Sequence, residues 1–300
     1  MRSLLLLVLA ILVAGCGGTA PSPSPNTTAT QAAPTSAAPA TPSPAPSPSA
    51  AVTRLGDELV RPGHFTYCAN LRPGRMGFRD ESGEPAGVNI EIAIEIAKRL
   101  GLEPEIRETP FEELIDAVAT GVCDISISSQ HITQTRLERI DMLPYTQGTQ
   151  HVVVRAGNPA GIRVLTDLCG RVLAVQTGST HVDLVVGQGD HTGAGIDRDC
   201  AAAGRPNVDL RQFDDDADAI AALGGGTADG YIGSDFIAID RPAEFELATE
   251  LPPTRNGIGV PKDHSALRAA VEDAFQAMID DGTYLRILEK FGVAAQSIAP

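Results

Sequence analysis

The residues best suited to chemistry in this 300-residue chain are gathered in Ser128-Ser129-Gln130-His131-Ile132-Thr133-Gln134-Thr135-Arg136. Two hydroxyls, an imidazole and a guanidinium share one short run. Before it, Cys123-Asp124-Ile125-Ser126-Ile127 alternates β-branched residues in the manner of a strand; after it, Leu137-Glu138-Arg139-Ile140 opens a helix that Thr133 can cap. Turns of this kind at the carboxyl ends of strands collect backbone N–H groups and short hydroxyls, where ligands of open α/β sheets sit. Arg136 adds a planar fork suited to a carboxylate or phosphate. Alone, the same residues could serve only to close the turn, with Arg136 in solvent. A second turn of the type, Gln176-Thr177-Gly178-Ser179-Thr180, follows an apolar strand at 172–175 and leads into a helix near His181.

The surrounding pattern supplies the elements that would position both turns. Phe65-Thr66-Tyr67-Cys68-Ala69-Asn70 reads as a first strand, and Gly83 suits the positive-φ position of a turn. Asn89 can cap a helix whose residues Ile90, Ala93, Ile94, Ala97 and Leu100 follow the 3.6 period to a stop at Gly101. A strand at 104–108 and a helix at 111–120 lead into the central turn. Later strands are expected at 150–155, 172–175, 208–213, 229–235 and 256–260, with helices at 217–223 and 267–279 and a last one ending near Phe291. Strands alternating with helices build a mostly parallel sheet covered on both faces.

Composition narrows the partners. The formal charge of −15, about −16 once a leader carrying Arg2 is removed, argues against nucleic acid or an anionic membrane surface. Trp is absent and aromatics are scarce, so an aliphatic core is expected. Residues 4–13 form an apolar run too short to span a bilayer and read as the core of a signal peptide over 1–15. Leu12-Val13-Ala14-Gly15-Cys16 resembles a bacterial lipobox, which implies lipid attachment at Cys16 and anchoring at the outer face of the cell membrane. Residues 17–53 hold no charge and are rich in Pro, Ser, Ala and Thr, so 16–53 is expected to be a disordered tether reaching about 100 Å. Four cysteines remain, Cys68, Cys123, Cys169 and Cys200. Their even number in an exported chain suggests disulfides rather than a metal site, with three pairings possible.

Four motifs in joint spacing resemble the family 3 extracellular solute-binding proteins, which serve ABC importers of polar amino acids. They are Phe78-Arg79-Asp80-Glu81-Ser82-Gly83 through Ala97-Lys98-Arg99-Leu100-Gly101, Ile132-Thr133 with Arg136, Ala174-Val175-Gln176-Thr177-Gly178-Ser179-Thr180, and Asp281-Gly282-Thr283-Tyr284. The resemblance implies an α/β fold of the type II periplasmic-binding-protein kind: two lobes, each a mostly parallel sheet flanked by helices, joined by two hinge crossovers near 145–150 and 252–257. Lobe one would hold 54–148 plus 256–300, and lobe two 149–255.

Carried over by motif, Arg136 becomes the clamp for an amino acid α-carboxylate. Ser128, Ser129 and His131 become contacts from lobe one, and Ser179 and Thr180 contacts from lobe two. The acidic partner of the α-ammonium aligns with Ser234, and the neighbouring Asp235 is the expected carboxylate. The first-strand acid of many members is Asn70 here, and the usual covering aromatic aligns with Pro73. The loss of a carboxylate weighs against a basic ligand. The resemblance also implies a Cys169–Cys200 disulfide; whether Cys68 and Cys123 pair stays open. The expected function is capture of a small polar solute, an amino acid, by a monomer that delivers it to an ABC permease, with no cofactor, metal or catalysis. A cyclohexadienyl-dehydratase-like enzyme and a ligand-presenting sensor component are the alternatives.

Overall fold

The computed structural model describes residues 55–299; the leader over 1–15, Cys16 and the tether over 16–53 lie outside the described residues. The strands run in the order β1 (His64–Ala69), β2 (Phe78–Arg79), β3 (Pro85–Ala86), β4 (Glu103–Glu108), β5 (Ile125–His131), β6 (Asp141–Gly148), β7 (His151–Arg155), β8 (Val172–Gln176), β9 (Asp209–Phe213), β10 (Gly230–Ile232), β11 (Phe245–Glu250) and β12 (Thr254–Val260). They form two five-stranded sheets, ordered β4-β1-β5-β12-β6 and β11-β7-β10-β8-β9, and a small hairpin of β2 and β3. Each large sheet is the floor of one lobe.

Both sheets are mixed. In the first, β1 pairs in parallel with β4 and β5, while β12 pairs antiparallel with β5 and β6. In the second, β8 pairs in parallel with β9 and β10, while β7 pairs antiparallel with β10 and β11. The expected parallel order therefore holds in one half of each sheet, β4-β1-β5 and β10-β8-β9, and gives way in the half where the chain crosses between lobes. It leaves the first sheet at Gly148 and enters the second at His151, then leaves at Glu250 and returns at Thr254. Outgoing and returning strands lie side by side, with Thr254 opposite Gly148 and Glu250 opposite His151. A returning neighbour can pair only antiparallel.

The first core joins Phe65 and Tyr67 of β1 and Ile125 and Ile127 of β5 to Ile92 and Ile96 of the helix Val88–Leu100 and to Val271 and Met278 of the helix Ser265–Asp280. The helix Val88–Leu100 starts on Gly87 rather than on a capping Asn89. Gly87 has φ +113°, and a Cβ there would meet Met76 O at 2.7 Å. The Asn89 side chain is spent elsewhere, since its Oδ1 accepts from Tyr145 OH at 2.7 Å. The second sheet buries Val152, Val175 and Ile232 on one face and Val153, Ala174 and Tyr231 on the other. The cores are less purely aliphatic than the composition suggests, because all four tyrosines are buried. Burial of a tyrosine needs a partner for its hydroxyl: Tyr284 OH donates to Tyr145 O at 2.6 Å, and Tyr231 OH lies 2.7 and 2.8 Å from the Asp216 carboxylate oxygens.

Two disulfides close loops within the lobes. Cys68 joins Cys123 with Cα atoms 5.8 Å apart, tying the end of β1 to the turn before β5. Cys169 joins Cys200 at 5.5 Å, tying the approach to β8 to the helix Ile196–Ala202. Among the described residues no helix is long and apolar enough to cross a membrane.

Candidate functional site

The carboxyl ends of β1, β5, β8 and β10 carry Asn70, Ser129 to His131, Gln176 and Gly233 to Asp235, and those ends face one another across the lobes. The lobes touch through specific bonds. Gln176 Nε2 donates to Asn70 Oδ1 at 3.0 Å, His131 Nδ1 lies 2.7 Å from Thr180 Oγ1, and Asp190 accepts from the N–H of Gln134 at 2.8 Å. Arg75 and Asp240 form an ion pair across the same gap.

Arg136 sits in the helix Gln134–Leu137, whose cap Thr133 accepts from Arg136 N–H. The capping hydroxyl fixes the helix start, which aims the guanidinium inward. It is 9 % exposed; Nη1 donates to His131 O at 2.9 Å and Nη2 to Gly178 O at 3.1 Å. Neither acceptor is charged, and Arg136 makes no ion pair within 4.0 Å with any described residue. Burial lowers its pKa from 12.5 to about 10, partly offset by the fields of Asp183 and Asp190, so the group stays a cation at neutral pH. A buried cation without an anion is costly unless a ligand completes it.

A cavity of about 20 Å³ lies between the lobes, lined by Arg72, Phe111, Ser129, His131, Arg136, Ser179, Thr180, His181 and Asp216 among others. It continues into a larger one of about 150 Å³, and Arg72, Ser129, His131, Gln150 and Gly233 line both. Ser129 holds φ +52°, a strained value for a non-glycine residue, with its N–H bonded to Tyr145 OH at 2.8 Å. The Ser179 hydroxyl is buried and finds no partner, as does His181 Nδ1. The electrostatics favour an anion. Burial, then the fields of Arg136 and Arg72, pushes the His131 imidazole down to about 4. Burial, then His131 and the same arginines, holds His181 well below its ordinary value. Both rings are therefore neutral at pH 7, and the space resists further positive charge.

Most of the residues singled out in the sequence meet here: Ser129, His131, Arg136, Ser179 and Thr180 line the small cavity, and Asn70 bridges to Gln176 at its edge. Two others are held by neighbouring groups. Ser128 is 1 % exposed and bonds the Asn70 backbone in both senses, accepting from N–H at 3.0 Å and donating to O at 3.2 Å, so it braces β5 against the end of β1. Asp235 borders the larger cavity, but Oδ1 accepts from His151 N–H at 3.0 Å and Oδ2 lies 2.7 Å from His151 Nδ1. The acidic residue among those that line the small cavity is Asp216, at 0 % exposure. Tyr231 OH accepts from Ser234 N–H at 2.8 Å, so its one proton is directed to Asp216. Burial raises the Asp216 pKa, opposed by Arg72 and by this hydroxyl.

Arg72, His181 and Asp216 went unread in the sequence. His181 directly follows the second hydroxyl turn, and Arg72 lies just past the first strand; both positions were legible clues. Asp216 hides in Asp214-Asp215-Asp216, which reads as a solvated helix start. Among the described residues, no group of three or more His, Cys, Asp or Glu side chains is placed to hold a metal ion.

Gly178 permits the close approach of the lobes. It has φ +72°, and a Cβ there would lie 2.6 Å from both Cα and Cβ of Glu112 in the opposite lobe. Gly178→Ala adds about 1–2 kcal/mol of backbone strain to a collision that only separation of the lobes relieves. Its ligand affinity is expected to fall about 10-fold or more with secondary structure intact, measured by calorimetry and circular dichroism; unchanged affinity would show that the lobes do not close at this point.

The family described as bacterial extracellular solute-binding proteins, family 3, matches residues 68–294. The chain is 25% identical over 231 residues to the L-cystine-binding protein TcyJ of Escherichia coli (strain K12), covering 72% of this chain and 77% of that protein. It is 28% identical over 226 residues to the probable ABC transporter arginine-binding protein ArtJ of Chlamydia trachomatis, covering 72% and 80%. Among solved structures, an ancestral arginine-binding protein bound to arginine is similar with a TM-score of 0.67 and 29% identity, over 76% of this chain and 98% of that one.

Proposed function

Since the chain belongs to the bacterial extracellular solute-binding proteins, family 3, we propose that its cleft captures an amino acid between the two lobes for delivery to an ABC importer. The observation that carries this reading is the buried Arg136 guanidinium with only neutral carbonyls for partners. An α-carboxylate supplies the missing charge in bidentate form. The unpartnered Ser179 hydroxyl lies beside it, and Thr180 fixes the His131 ring against the same space. Asp216 takes the α-ammonium. Closing on the ligand creates the surface that the permease recognises, and a lipid on Cys16 with the tether beyond it keeps a monomeric domain at the outer face of the membrane.

The hydrogen bonding of Asp216 also supports binding rather than catalysis. A dehydratase on the same fold needs a carboxylic acid that gives up a proton. Asp216 accepts the Tyr231 hydroxyl hydrogen bond, which together with Arg72 opposes the rise that burial gives its pKa and so favours the carboxylate that an ammonium needs. No turnover of prephenate or arogenate is expected.

The test is thermal unfolding of the purified chain against the twenty amino acids. A ligand at 100 times its Kd adds about 2.7 kcal/mol, and one chemical class is expected to raise the midpoint. Asp216 binds an ammonium only when ionised, and its pKa is raised; affinity therefore falls as pH drops, beginning above the range of an ordinary carboxylate. Asp216→Asn weakens binding and removes this dependence. A panel in which no amino acid shifts the midpoint contradicts the reading.

A further inference from the structure

We propose that the ligand is an amino acid with a second acidic group, and that Arg72 holds that group. The inference rests on the amino-acid reading above and specifies its class. Arg72 follows Asn70 at the end of β1, on a turn closed by its own N–H donating to Gly77 O at 2.9 Å. Its guanidinium carbon lies 5.6 Å from the Phe111 ring centroid, and that of Arg136 lies 5.8 Å from the same centroid. One aromatic ring thus gathers two cations at a single cavity. Arg72 Nη1 reaches only the neutral Gln176 Oε1, at 3.4 Å, and no carboxylate of the described residues lies within ion-pair distance of it.

Charge arithmetic then selects the ligand. The small cavity is lined by two guanidinium groups, Arg72 and Arg136, and one carboxylate, Asp216, while His131 and His181 are neutral. A zwitterionic backbone, with its carboxylate on Arg136 and its ammonium by Asp216, leaves the balance at one excess positive charge. An acidic side chain cancels it; a neutral one leaves it, and a basic one doubles it in a buried setting where unpaired charge is expensive. The placement agrees. Arg72 lines both the small cavity, which Arg136 also lines, and the larger one, so its guanidinium borders the space open to the side chain of a ligand anchored at Arg136.

The experiment is calorimetric titration of the full chain, wild type and Arg72→Gln, with glutamate, aspartate, glutamine and arginine. The expected result is that wild type binds glutamate or aspartate at least 10-fold tighter than glutamine or arginine. Arg72→Gln then weakens the acidic ligand roughly 10- to 100-fold, as loss of a hydrogen bond to a charged group predicts, while glutamine binding changes less than about 3-fold. Tighter binding of glutamine or arginine by wild type overturns the inference but leaves amino-acid capture standing. Equal weakening of glutamate and glutamine in Arg72→Gln also overturns it, since it makes Arg72 a structural residue. Binding of none of the four at millimolar concentration overturns the inference; the amino-acid reading beneath it falls only if the full panel of twenty also leaves the melting midpoint unmoved.

Discussion

Arg136→Ala is expected to weaken ligand binding about 100-fold or more, while Arg136→Gln leaves the melting temperature of the ligand-free protein no lower than wild type. Truncating one member of a buried, hydrogen-bonded charge pair costs about 2–5 kcal/mol, most of it from the charge left behind. Here the charge left behind belongs to the ligand, and the loss falls on affinity. Without ligand the sign reverses. The guanidinium is 9 % exposed, and burial has lowered its pKa from 12.5 to about 10, a cost of the order of 3 kcal/mol. The glutamine amide can still donate to the His131 carbonyl without carrying the buried charge. Affinity is read by calorimetry and stability by denaturant unfolding; retention of wild-type affinity within a few-fold in Arg136→Ala would remove Arg136 from the clamp.

Paired replacement of Cys169 and Cys200 by serine is expected to cost about 4 kcal/mol of stability and roughly 10 °C in Tm. The two cysteines are separated by 31 positions, and the chain-entropy relation converts a loop of that size to about this figure. The second bond, Cys68–Cys123, spans 55 positions and is of similar worth. Reduction of both therefore removes an amount comparable to the whole stability of an ordinary domain, so the protein should unfold readily in dithiothreitol. The two bonds differ functionally. Cys169 precedes the amino end of β8, and the site is at the carboxyl end. The Cys169/Cys200 double variant should bind ligand within a few-fold of wild type at low temperature. Cys68 lies two residues before Asn70, and Thr109 Oγ1 donates to its sulfur at 3.2 Å, so loss of that bond should weaken binding as well. A melting temperature unchanged in the Cys169/Cys200 variant would show that the bond constrains nothing.

The repeating pieces of this fold were legible because period and caps agree. The helix Val88–Leu100 shows its buried stripe in the sequence and ends at Gly101, which has φ +69°. Thr133 caps the helix that aims Arg136, as its type and place suggest. Two strands that escaped notice, β6 and β11, lie at sheet edges. β6 contains Pro144, which usually argues against a strand, yet it lies at the edge of its sheet and its register shifts at the adjoining bulge. β11, another edge, alternates charged and apolar residues too briefly to stand out. At the site, local motif spacing found residues held by the turn itself, such as Ser129, Ser179 and Arg136. It could not find those placed by tertiary contacts between distant positions. Asp216 enters the cavity because Tyr231 draws it there, a contact between positions 15 apart that no local pattern encodes. Asp235 borders the larger cavity but is held by His151, 84 positions away.

The most direct test of amino-acid capture is a crystal structure of the full chain grown with the amino acid that raises its melting temperature most. The ligand is expected between the sheets, its α-carboxylate in bidentate contact with Arg136, its ammonium on Asp216 and its side chain towards Arg72. An α-carboxylate bound away from Arg136, or a ligand seated outside the space between the lobes, would contradict the account.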